Sequence, residues 1–103
     1  MKDRREQLEK LLEADPDDAF VTYALAMEHL KHGEPSQAIR WLDRTLELDA
    51  TSHYAHLQKA KAYADMGSLD DAVAAADAGV ASAQAAGDAK ALSELQELRA
   101  SLL

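Results

Sequence analysis

Apolar residues recur along this chain at three- and four-residue intervals, and they do so in blocks. Ala38, Ile39, Leu42 and Leu46 share one helical face, as do Leu92, Leu95, Leu98 and Leu102 further on. The breaks between blocks carry helix-boundary chemistry. Asp17 or Asp18 can cap a helix that runs to about His32, and Gly33 ends it. Glu34-Pro35-Ser36 opens the next helix, with proline tolerated in its first turn. Thr51 or Ser52 starts a further helix that Gly67 closes. Ser68-Leu69-Asp70-Asp71 then reads as a capping box with Asp in the Glu/Gln place. A helix over residues 1–15 and another over 88–103 complete five or six helices and no strand.

The blocks repeat. Gly33 and Gly67 lie at an offset of 34, and so do Ala26 and Ala60, Ala38 and Ala72, and Asp43 and Asp77. Phe20/Tyr54, Ile39/Val73 and Leu46/Val80 are conservative pairs at the same offset. This period, with small residues and glycine in fixed places, resembles the tetratricopeptide repeat (TPR) family. Repeat one is expected over 19–52 and repeat two over 53–86. A half-repeat helix at 1–16 precedes them, and a capping helix at 88–103 follows. The Leu8 to Pro16 segment resembles the close of a family repeat, Asp-Pro included. The resemblance implies an all-α, right-handed superhelix of antiparallel helix pairs over the single domain 1–103. Ala26, Ala38, Ala60 and Ala72 stand where the family keeps side chains small so that paired helices approach closely. Repeat two departs most. His56 and Lys59 replace an aromatic and a leucine, and Thr22 replaces the same aromatic in repeat one.

Composition narrows the chemistry. The 103-residue chain has 48% hydrophobic residues but only 5% aromatic ones, so alanine and leucine carry the apolar content. It has 11 Lys+Arg against 19 Asp+Glu, a formal charge of −8, which disfavours nucleic acid and anionic membranes as partners. It has no cysteine, so no disulfide or thiolate metal site is expected. The longest uncharged stretch, Ala78 to Gly87, falls far short of a membrane span, and Met1-Lys-Asp-Arg-Arg does not resemble a signal peptide. A soluble, cytoplasmic protein without cofactor is the expectation.

Enzyme signatures are absent from the sequence. The four glycines are scattered and no nucleophile motif occurs, so no catalytic residue is assigned. His29/His32 and His53/His56 are each three apart, a spacing that could hold a metal given further ligands. Packing or solvated histidines are the stronger reading, and no metal site is assigned. Trp41, the only tryptophan, packs on the N-terminal helix near Leu8 and Leu11 or stands exposed as an interaction anchor.

The TPR resemblance implies a functional face. The first helix of each repeat lines the concave surface of the family's superhelix. The inner positions here are Phe20, Tyr23, Met27 and Leu30, then Tyr54, Leu57, Lys61 and Ala64. Phe20, Tyr23, Met27, Tyr54 and Leu57 would form an apolar strip, and Lys61 its basic member. Such a strip suits a partner peptide or protein segment, with an acidic surround that favours a neutral or basic ligand. Family members that grip a C-terminal carboxylate use a Lys, Asn and Arg clamp. Only Lys61 is basic here, so that clamp is not expected. The alternative is a self-associating assembly element, its groove covered by a second protomer or by its own C-terminal helix.

Overall fold

The computed structural model describes residues 4–103, so the first three residues of the expected N-terminal helix lie outside it. Six helices run in order: α1 Arg4–Ala14, α2 Ala19–Lys31, α3 Pro35–Leu48, α4 His53–Asp65, α5 Leu69–Ala86 and α6 Ala89–Ser101. No strand occurs among the described residues. Each helix packs chiefly on its neighbours in sequence, and α4 also touches α6. The result is an all-α stack of antiparallel helix pairs, 40 × 29 × 19 Å.

Local chemistry sets the helix ends. The Asp18 side chain accepts from the backbone N–H groups of Phe20 and Val21, which starts α2. Pro35 opens α3. Gly33 and Gly67 take φ of 72° and 77°, a left-handed backbone that a side chain would strain. In both turns the next N–H reaches back to a carbonyl five residues earlier, Glu34 to His29 and Ser68 to Tyr63, each at 2.9 Å. Two expected caps are not made. Neither Ser52 nor Ser68 gives its side chain to the helix it precedes. The α3–α4 turn is held instead by Asp49, whose carboxylate accepts from Thr51 N–H at 3.0 Å and Thr51 Oγ1 at 2.6 Å.

Alanine does much of the packing. Ala26, Ala38, Ala60 and Ala72 are all fully buried, as close approach of paired helices requires. Around them lie four apolar clusters. Leu8, Val21 and Leu25 join α1 to α2, with Trp41 packed against them. Ala26, Leu42 and Ala55 join α2, α3 and α4. Leu57, Ala83, Ala91 and Leu95 join α4 to α5 and α6. Ala60, Ala75 and Ala76 bind the lower part of α4 to α5, with Leu98 and Leu102 of α6 against them.

The threonine that departs from the family pattern has a partner. Thr22 of α2 and Thr45 of α3 are buried with their hydroxyls 2.8 Å apart. Thr22 Oγ1 also reaches the Ala19 carbonyl and Thr45 Oγ1 the Trp41 carbonyl, both at 2.9 Å. Two hydroxyl protons serve two of these three contacts at a time, so both buried groups remain satisfied.

Candidate functional site

The cap at Asp18 fixes where α2 begins and so which side chains face outward. Phe20, Tyr23 and Met27 follow at i, i+3 and i+7 on one face. Phe20 is 80% exposed, an unusual state for a phenylalanine in a folded chain. Met27 is also exposed, and Tyr23 is half-buried against Ala26, Leu42 and Ala55. Beside them is a shallow hollow of about 410 Å³, lined by Phe20, Tyr23 and Tyr54 together with Ala19, Thr45, Asp49 and Ser52. A second hollow of about 460 Å³ continues along α2, past Ala24, Met27 and Lys31. Phe20 and Tyr23 line both hollows and so mark their common boundary. Thus the structure brings Phe20, Tyr23, Met27 and Tyr54 onto one continuous surface.

Two expected members stand elsewhere. Leu57 is only 5% exposed and packs against Ala83, Ala91 and Leu95, so it is a core residue and not part of the open strip. The physical reason is α6, which packs against α4 and α5 where the strip would continue. Tyr54 packs against the edge of that cluster yet still lines the first hollow. Lys61 is exposed and lines neither hollow. It lies two turns beyond Tyr54 on α4.

The electrostatics of the surface differ between its ends. Asp49 lines the first hollow, and the hydrogen bonds from Thr51 hold its carboxyl below the ordinary Asp range. At the other end are Lys31 and the Arg4–Glu28 ion pair, at 3.3 Å. Burial raises the Tyr23 phenol above its ordinary value of 10.0, against the opposing effect of its hydrogen bond with Gln58. Tyr23 therefore offers a neutral hydroxyl at the floor of the groove. Asp49, Ser52 and Thr45 were not singled out as surface residues from sequence. The helix-start chemistry at Ser52 was visible, but its position against α2 was not, and Thr45 lies buried within α3.

The histidines have local partners. His29 Nδ1 lies 3.2 Å from Glu34 Oε1, which also takes Arg5 at 2.5 Å. His32 Nδ1 lies 2.8 Å from the Glu28 carbonyl. His53 Nε2 meets Asp88 at 3.0 Å, which ties the start of α4 to the residue that caps α6. Burial, then Lys59 and His53 nearby, push the His56 pKa below its ordinary 6.5. Among the described residues no three or more His, Asp or Glu are grouped to hold a metal. Nor is any described helix long and apolar enough to cross a membrane.

Known proteins share this architecture. The family model described as anaphase-promoting complex, cyclosome, subunit 3 matches residues 7–78, well over half of the chain. A tetratricopeptide repeat domain protein from Salinibacter ruber is 34% identical, with a TM-score of 0.75, over 82% of this chain and 96% of that one. A protein from Bordetella parapertussis is 27% identical, with a TM-score of 0.87, over 99% of this chain and 89% of that one. PcrH, solved in complex with the chaperone binding region of PopD, is 17% identical and shares the fold, with a TM-score of 0.89 over 95% of this chain and 74% of its own. No curated protein matches the sequence. The 34-residue period, the paired helices closed by Gly33 and Gly67, and these likenesses agree: the chain belongs to the tetratricopeptide repeat family.

Proposed function

We propose that the chain is a non-enzymatic interaction module that holds a segment of a partner protein along α2, against Tyr54 of α4. The observation that carries this reading is Phe20, 80% exposed beside the hollow that Tyr23 and Tyr54 line. An exposed aromatic and an exposed methionine on one face suit apolar anchors of a ligand. The fold supports the reading too, since PcrH is seen holding a region of PopD. Asp49 favours a basic or neutral group at the first hollow. Tyr23 and Tyr54 hydroxyls orient the bound backbone. Lys61 contacts only a ligand long enough to run two turns along α4.

Affinity capture with the wild type and with Phe20→Ala plus Met27→Ala tests the proposal. Both side chains are exposed, so the double variant keeps its fold, which circular dichroism verifies. Partners held by the wild type and lost by the variant support the groove. Equal capture by both refutes it. Sedimentation over a concentration series addresses self-association: a Phe20-dependent dimer would make a second copy the occupant.

A further inference from the structure

On α3 a separate hollow of about 320 Å³ is lined by His29, Gln37, Arg40, Trp41 and Arg44, and shares no residue with the two hollows of the groove. Its charge runs against that of the chain. Arg40 and Arg44 line it and no carboxylate does, but Asp17 and Glu47 pair with Arg44 and Glu34 lies against His29 just outside it, so the uncompensated charge of the hollow is that of Arg40. Arg44 is fixed in place by Asp17 at 2.9 Å and Glu47 at 3.1 Å. Arg40 makes no ion pair or side-chain hydrogen bond among the described residues. Nor do the Gln37 amide or the Trp41 indole N–H find a partner among them. Trp41 packs on Leu8, Val21 and Leu25 with one part of its ring and borders the hollow with another.

We propose that this hollow binds an acidic polypeptide segment, one that carries a carboxylate beside an apolar side chain. The carboxylate takes the planar fork of Arg40 in a bidentate pair, and the apolar side chain lies on Trp41. An isolated small anion would gain only the Arg40 contact, because Arg44 is already engaged. A nucleic acid carries a charge at every nucleotide and meets the repulsion of a chain carrying −8 more strongly than a short segment that interleaves carboxylates with apolar side chains. A short acidic segment gains Trp41 as well, and salt screens the remaining repulsion beyond roughly 10 Å.

Trp41 is the only tryptophan, and its ring borders this hollow and neither hollow of the groove, so its fluorescence responds to binding here. The experiment titrates the full chain with a capped nine-residue peptide of glutamate and leucine, and with a lysine–leucine counterpart. The expected result is a saturable change with the acidic peptide only, weakened by added salt. Arg40→Gln should weaken it about ten-fold, as loss of a charge-assisted pair implies. Phe20→Ala should leave it unchanged, which separates this site from the groove. No saturable change, or equal binding by Arg40→Gln, overturns the proposal. So does saturation by inorganic phosphate or by a single-stranded oligonucleotide at the same concentrations.

Discussion

Gly79 sits inside α5, where an alanine would ordinarily be favoured. Helix propensity alone gives Gly→Ala a gain of about 0.8–1 kcal/mol in a helix interior. The structure predicts the opposite sign here. A Cβ at residue 79 would lie 2.6 Å from Leu95 Cδ2 and 2.9 Å from His56 Cβ. Ordinary carbon contacts are about 3.5–4.0 Å, so the overlap is on the order of 1 Å on two sides. Leu95 is 1% exposed and has no open space to turn into. His56 Cβ is bonded directly to the α4 backbone and moves only with the helix. Overpacking of this kind costs roughly 1–3 kcal/mol. Placed in its upper part because one clash is with a near-backbone atom, it leaves a net loss of about 1–2 kcal/mol after the propensity gain. For a chain of this length that lowers Tm by roughly 4–16 °C. Urea and thermal unfolding followed by circular dichroism measure it. In a Leu95→Ala background one of the two clashes is gone, and the cost of Gly79→Ala should shrink by about 1 kcal/mol. A Gly79→Ala variant that is more stable than the wild type would refute the reasoning, and with it the close docking of α6.

Three further outcomes follow from the same contacts. Leu57→Ala should cost about 2–5 kcal/mol in urea unfolding, whereas Phe20→Ala should change stability by less than about 0.5 kcal/mol. Thr22→Val leaves the Thr45 hydroxyl its Trp41 carbonyl and should cost about 1 kcal/mol, while Thr22→Val with Thr45→Val should cost less than the two single changes added. The folded state favours neutral His56, so its contribution is fully present above pH 6.5 and is lost as the pH falls through the lowered folded value. Unfolding measured from pH 7.5 to 5 should show that loss, and His56→Gln should flatten it.

Helix ends were the most legible part of the sequence because single residues decide them. Asp18, Gly33, Pro35 and Gly67 each carry a backbone requirement that no tertiary contact needs to supply. Ser52 and Ser68 show the reverse: their side-chain chemistry permitted caps, but nearby turns were closed by other bonds. Phe20, Tyr23, Met27 and Tyr54 could be placed on one surface because repeat position fixes helix face. Leu57 could not be placed that way. Its position in the repeat points to the groove, and only the path of α6 decides that it is covered. Thr22 looked like a flaw in the pattern because its meaning lies in Thr45, on another helix.

That hydroxyl pair also bears on registry. Apolar contacts between helices are non-directional, so burial alone discriminates weakly between neighbouring alignments. Between α2 and α3 a slide would part Thr22 from Thr45 and leave a buried hydroxyl to find another partner or stand alone. An orphaned group costs about 1–3 kcal/mol, enough to make shifted alignments rare. The α2 face that carries Phe20 and Tyr23 is thereby held at one rotation and one height relative to α3, by a directional polar contact set among the apolar contacts of Val21, Leu25 and Leu42.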